Sequence, residues 1–250
     1  MSSPDIITFD PDVLHNFTVR VLMHFGVPET DARTAADVLS LADLRGIDSH
    51  GVARLHTYYE MLSLRRINPT PKPFIVREHK SVCTVDGDNG LGLVVGPKAN
   101  QIAIEKAREF GSGWVSVCNT NHYGIASWYS LEALKHDMLG WSMTTSTKLV
   151  APLWGAERML GTNPISIAFP GLKNPPIVID LATSAVAYGK IEIAKRKNNT
   201  VPKGWITSDK GELSDKPDDM INGGALLPLG SVREMGGHKG YALAAMVDIL

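Results

Sequence analysis

The chain has 250 residues, 44% of them hydrophobic and 20% charged, an ordinary globular composition able to bury a large core. Its formal net charge is -1, with Lys and Arg scattered, which excludes the electrostatic footprint of a nucleic-acid or anionic-membrane binder and leaves a small-molecule partner as the better fit. Cys83 and Cys118 are too few for a disulfide framework and lack metal-type spacing, so no metal site is expected.

The start, Met1-Ser2-Ser3-Pro4-Asp5, has no basic region leading into an apolar one, and no eighteen apolar residues run together. With the cysteine usage, this reads as a cytoplasmic chain. Asp10-Pro11 forms an N-cap followed by Pro at the first helical position, and Val13, Leu14, Phe17, Val21 and Leu22 recur at helical spacing as far as Gly26. A second helix is predicted from near Thr30, turning Ala32, Ala35, Ala36, Leu39 and Ala42 inward and stopping at Gly46. A third starts around Asp48-Ser49 and continues through Tyr58, Tyr59 and Leu62. The prolines of Asn68-Pro69-Thr70-Pro71-Lys72-Pro73 remove backbone donors and push their predecessors extended, so a boundary is placed there. It gives two units: an N-terminal helical one over 1–73 and an α/β one over 74–250.

Beyond the boundary, short apolar runs alternate with helical stretches. Val82 to Val85, Trp114 to Cys118, Trp141 to Thr145, Ile165 to Phe169 and Ile177 to Leu181 read as strands, and 97–110, 125–137 and 184–197 as helices. Such alternation predicts an α/β layer with a largely buried sheet. Lys195-Arg196-Lys197 reads as a solvated helix end rather than a binding patch. The apolar helical pattern from Gly240 stops at Leu250 without a cap or polar tail, so the chain is read as short at its C-terminus.

The densest polar cluster lies in Asp48-Ser49-His50-Gly51-Val52-Ala53-Arg54-Leu55-His56-Thr57-Tyr58. On a helix, His50, Arg54 and Tyr58 stand four apart, drifting only about 40° per step, and so share a face. Arg grips a carboxylate through two parallel hydrogen bonds, and His exchanges a hydroxyl proton near neutral pH, with Ser49 able to hold its tautomer. The alternative makes Asp48 or Ser49 a plain N-cap and leaves Arg54 and Tyr58 on a solvated face. A second cluster, Asn119-Thr120-Asn121-His122-Tyr123-Gly124, follows a predicted strand and precedes a helix, where α/β proteins place ligands. There His122 and Asn121 could flank a reacting carbonyl; turn chemistry explains the same residues equally well.

Gly90-Leu91-Gly92-Leu93-Val94-Val95-Gly96 contains spaced glycines, but they follow an Asp86-Gly87-Asp88-Asn89 turn. The helix is expected only near Pro97, and the next strand ends in Asn119 rather than a ribose-binding acid, so the run is not taken as a Rossmann loop. P-loop, zinc-protease and serine-hydrolase motifs are absent, which leaves redox chemistry or binding. Ser49 and His50 fit a hydrolase poorly, since neighbours on a helix diverge by about 100°.

Six ordered segments together resemble the second type of malate/L-lactate dehydrogenase, a family with ureidoglycolate, sulfolactate and diketogulonate dehydrogenases and a cyclic imino-acid reductase. They are 42–54, Asn121-His122-Tyr123-Gly124, Ala151-Pro152-Leu153-Trp154-Gly155, Gly161-Thr162-Asn163-Pro164, Asp180-Leu181-Ala182-Thr183-Ser184 and Lys239-Gly240-Tyr241. The resemblance implies an oxidoreductase using NAD or NADP, a homodimer, and a non-Rossmann, mixed-sheet cofactor domain with helices packed on it. It also implies that His50 exchanges the proton with help from Ser49 and that His122 is a second acid/base candidate. Arg54, Tyr58 and Asn121 become the substrate clamp, and His122, Tyr123, Gly124, Ser146, Asp180, Leu181, Ala182 and Lys239 the cofactor contacts. The expected reaction passes a hydride between the nicotinamide and C2 of a small 2-hydroxy or 2-oxo acid of the malate or lactate kind. The alternatives are imino-acid reduction and a short, non-catalytic chain that dimerises or binds ligand.

Overall fold

The computed structural model describes residues 8–250; the leader expectation at the extreme N-terminus lies outside them. By internal contacts the chain divides into two compact units, one ending at Tyr129 and one running from Ser130 to Leu250. The boundary expected at residues 73/74 falls inside the first.

The first unit opens with α1 (Pro11–His24), capped by Asp10, whose Oδ1 accepts the amides of Asp12 and Val13. The inward face of α1 is Thr18, Val19 and Leu22, while Val13 and Phe17 stay exposed, so the expected stripe is displaced by a residue or two. α2 (Glu29–Leu44) buries Ala32, Ala35, Ala36, Leu39 and Ala42 as its pattern requires, and Val38 besides. The small side chains let its neighbours approach closely. α3 (Leu55–Ser63) is shorter than expected: residues 48–54 form two tight 3₁₀ turns, Asp48–His50 and Val52–Arg54, separated at Gly51. Gly51 takes φ -87° and ψ -148°, far from helical backbone, so one continuous helix from Asp48 is ruled out.

β1 (Phe74–His79), β2 (Val82–Gly90), α4 (Gly92–Phe110) and β3 (Trp114–Thr120) follow. β1 pairs antiparallel and β3 parallel with β2 in a three-stranded mixed sheet. α4 begins five residues before Pro97, because Gly92 to Val95 are buried. Sinking Leu93 alone is worth about 1.5–3 kcal/mol, which offsets the backbone donor missing at Pro97. Its C-terminus is closed by Gly111 in the left-handed region, φ 83°. Leu91, Leu93, Val94 and Ile125 join the α1–α3 residues in one core.

α5 (Ala126–Leu134) bridges the division in sequence. In the second unit, β4 (Gly140–Met143), β5 (Ile165–Phe169) and β6 (Ile177–Leu181) form an antiparallel sheet in that order. α6 (Tyr188–Arg196), the short pair β7 (Ile206–Thr207) and β8 (Leu213–Ser214), α7 (Pro217–Ile221) and α8 (Gly237–Ile249) complete it. Its core gathers Val150, Ile191, Val201, Ile206, Met220 and Leu226. Lys195 to Lys197 are the exposed end of α6, as expected, and residues 184–187 are not helical: Ser184 bridges Pro228 and a bend follows before α6.

The architecture is mixed α/β. The sheets are small, and the expectation of a largely buried sheet does not hold. Register puts Trp141, Ile167 and Ile179 side by side on one face of β4–β6, and Trp141 and Ile179 are 49% and 47% exposed. That face is thus partly open to solvent.

Candidate active site

In the first unit the two 3₁₀ turns are held by Asp43 of α2. Its Oδ2 accepts the Val52 amide at 2.8 Å, and a Cβ on Gly51 would lie 1.7 Å from its Oδ1, so only glycine fits beneath the carboxylate. Burial, and next the Asp48 charge, push the Asp43 carboxyl above its ordinary range, against the lowering effect of the Val52 amide. Arg54 then folds back so that its Nε donates to the Ser49 carbonyl at 2.6 Å. With Nε so engaged, Nη1 and Nη2 are the donors of a type that can take a carboxylate.

The Ser49 hydroxyl lies 2.9 Å from Nδ1 of His50. His50 stacks on His122, with ring centroids 5.7 Å apart and planes 29° from parallel, and the Tyr58 hydroxyl sits 2.6 Å from Nδ1 of His122. Residues 64 positions apart thus meet through a short hydrogen bond. Tyr58 is 2% exposed, and burial raises its phenol pKa, against a smaller lowering by Arg54. His122 as a residue is exposed, but its ring is packed against His50 and Tyr58. The resulting desolvation, and next the proximity of His50 and Arg54, push its pKa down to about 4, so it is neutral at physiological pH.

The loop bearing His122 is fixed by close backbone approaches. A Cβ on Gly92 would lie 2.1 Å from the Asn121 carbonyl oxygen and 2.5 Å from that of His122. This glycine of the spaced Gly90–Gly96 run thus makes room for the chain's own backbone, which supports a non-Rossmann reading. Gly124 has φ 82° and abuts Val38 of α2. Tyr123 stacks on Tyr129 at 4.4 Å, and the Tyr129 hydroxyl donates to its carbonyl. The Asn121 amide donates to Asn89 and Gly90, leaving Oδ1 as an acceptor suited to a hydroxyl rather than a carboxylate.

The second unit holds the other candidates. Met143, Ile165 and Leu181 are in register, so the loop after β4, the loop before β5 and the segment after β6 leave the sheet at one end. There the Ser146 hydroxyl accepts the Thr162 amide at 2.9 Å and lies 3.1 Å from the Thr162 hydroxyl. Buried Asn163 accepts the Ser146 amide and donates to the Ala244 carbonyl of α8, the helix that carries exposed Lys239. Strand alternation sends Asp180 and Leu181 to opposite faces, so their side chains do not share one ligand surface. Asp43 is a positioning residue that spacing alone did not single out; an acid nine residues before Val52 carries no motif signal.

Malate dehydrogenase of Pyrococcus abyssi is 52% identical over 240 residues, 96% of this chain and 66% of that protein. L-sulfolactate dehydrogenase of Methanocaldococcus jannaschii is 42% identical over the same share of this chain and 67% of its own length. The chain therefore spans about two thirds of the length of these curated relatives. The structure of malate dehydrogenase from Pyrococcus horikoshii superposes with a TM-score of 0.90 at 46% identity, covering 98% of this chain and 67% of that one. The sequence profile of the malate/L-lactate dehydrogenases matches residues 9–250, and by that match, almost end to end, the chain belongs to this family.

Proposed function

We propose that this chain carries the substrate-side residues of a dehydrogenase that passes a hydride between a nicotinamide cofactor, NAD or NADP, and a small 2-hydroxy or 2-oxo acid of the malate or lactate kind. The observation that supports it most is the convergence of His50, Arg54, Tyr58 and His122 from two turns, a helix and a loop far apart in sequence. A guanidinium edge for a carboxylate beside two imidazoles at the oxygen-bearing carbon is the donor set this substrate class needs.

In this reading Arg54 binds the carboxylate and sets the orientation of C2. His50, oriented through Ser49, gives its proton to the forming alkoxide in reduction and takes it back in oxidation. Such positioning can account for about 7–11 kcal/mol of a barrier. The nicotinamide, when bound, supplies or accepts the hydride. The exposed Ser146 hydroxyl and Lys239 ammonium of the second unit suit the ribose and phosphate of such a cofactor, with Asp180, Leu181 and Ala182 at the end of β6 as further candidates; His122, Tyr123 and Gly124 of the first unit are cofactor candidates by the family resemblance. A homodimer and a cytoplasmic location belong to the same proposal, supported by the exposed apolar face of β4–β6 and by the two free thiols. No helix among the described residues is long and apolar enough to cross a membrane.

The test follows reduced-nicotinamide absorbance with NADH and NADPH against a panel of 2-oxo acids and a cyclic imino acid. Turnover on a 2-oxo acid, lost in His50→Ala, is expected. Cofactor binding without turnover on any of them would overturn the assignment.

A further inference from the structure

Two imidazoles lie in the site, and hydrogen-bond direction divides their work. Nδ1 of His122 has two neighbours: the Tyr58 hydroxyl at 2.6 Å and the Gly124 backbone nitrogen at 3.3 Å. A backbone N–H only donates, so Nδ1 must offer its lone pair, and the short Tyr58 contact then has the phenol as donor as well. Two hydrogens facing one unprotonated nitrogen leave Nε2 as the place for the imidazole proton.

We propose that Tyr58 and the Gly124 amide lock His122 as the Nε2–H tautomer, so that Tyr58 is a positioning residue and His122 a fixed hydrogen-bond donor rather than the group that exchanges the proton. The lock is built into the fold. Tyr58 is sunk in the core of α1–α4, and Gly124 is held in a left-handed turn against Val38, so neither donor can swing away. The ionisable groups facing His122 are His50 from the first 3₁₀ turn, Arg54 from the second and Tyr58 from α3. The first two disfavour a second proton on the ring, and the third donates to its neutral form. Nδ1 of His50 lies 2.9 Å from the Ser49 hydroxyl, a group able to donate or accept as the ring changes state. For the reaction proposed above, on which this division of roles rests, His122 Nε2–H steadies the oxygen or the cofactor's amide while His50 moves the proton.

The tautomer is read directly, without substrate or cofactor, from long-range ¹H–¹⁵N spectra of the ¹⁵N-histidine-labelled protein at neutral pH. His122→Gln identifies the His122 signals. The expected spectrum has Nδ1 unprotonated and Nε2 protonated, and no titration of this ring between pH 6 and 8. Tyr58→Phe, which removes one hydroxyl from a packed core, should give a tautomer mixture and a higher titration midpoint. It should also lower kcat roughly tenfold, the worth of one hydrogen bond, with a smaller change in KM. Unaltered signals from the other histidines show that the variant is folded. A protonated Nδ1 in the wild-type protein, or a Tyr58→Phe spectrum identical to it, overturns the lock. If the lock is seen and no 2-oxo acid turns over, it is the functional reading that fails.

Discussion

The Asp43 carboxylate and Gly51 interlock: the carboxylate occupies the space where any side chain at Gly51 would begin, while its other oxygen holds the next amide in the chain. This contact breaks what would otherwise be a helix starting at Asp48. It lets Ser49 and His50 face Arg54 across a tight turn instead of following it along one helical face.

Gly51→Ala is therefore expected to destabilise the protein by about 1–3 kcal/mol, because the methyl must displace a held carboxylate rather than a mobile chain end. Thermal unfolding measures the loss. In the proposed reaction kcat should fall further than the folded fraction accounts for, since His50 moves with the turn.

Asp43→Asn keeps an acceptor for the Val52 amide and removes the cost of a crowded charge. The folded-state pKa of Asp43 is raised, so its protonated form favours folding: that contribution is full below the unfolded carboxyl range and fades as pH climbs through the folded value. The Asn variant should match or exceed the wild type in urea unfolding at neutral pH, with the gap closing as pH falls. Asp43→Ala, which loses the acceptor, should be less stable than both. An Asn variant as unstable as the Ala one would contradict this account.

The His122 pKa falls from 6.5 to about 4 on folding. The unfolded chain therefore takes up a proton that the folded one refuses between those values. The stability contributed by the neutral ring is complete above pH 6.5 and is lost as pH drops toward 4. Denaturant midpoints measured across that window should decline less steeply in His122→Gln than in the wild type.

Arg54→Lys preserves charge but removes the planar fork and the Nε bond to the Ser49 carbonyl. KM for a 2-oxo acid should rise roughly tenfold to a hundredfold, the range expected for a charge-assisted bidentate contact, with fold stability little changed. An unaltered KM would place the carboxylate elsewhere.

Much of this was legible beforehand. Asp10-Pro11 announced the start of α1 because an N-cap and a proline act over four residues, and the alanine face of α2 was readable because helical period alone fixes it. The strand runs at Val82, Trp114, Ile165 and Ile177 were visible as apolar blocks bounded by turns. β1 was not, since Phe74–His79 is exposed along its whole length and shows no alternation to detect. The start of α4 was misjudged because proline at residue 97 favours a first turn locally, whereas burial of Leu93 to Val95 carries the helix past it.

By itself the sequence determined a candidate chemistry: an arginine, two histidines and a tyrosine in two short segments are residue types suited to proton exchange beside a carboxylate, while an N-cap and a turn account for the same residues until the family resemblance is added. The proposed division between the two histidines rests on tertiary structure alone. Tautomer and proton affinity depend on what faces each nitrogen, and the groups facing Nδ1 of His122 arrive from Tyr58, 64 residues away, and from a turn held open against α2.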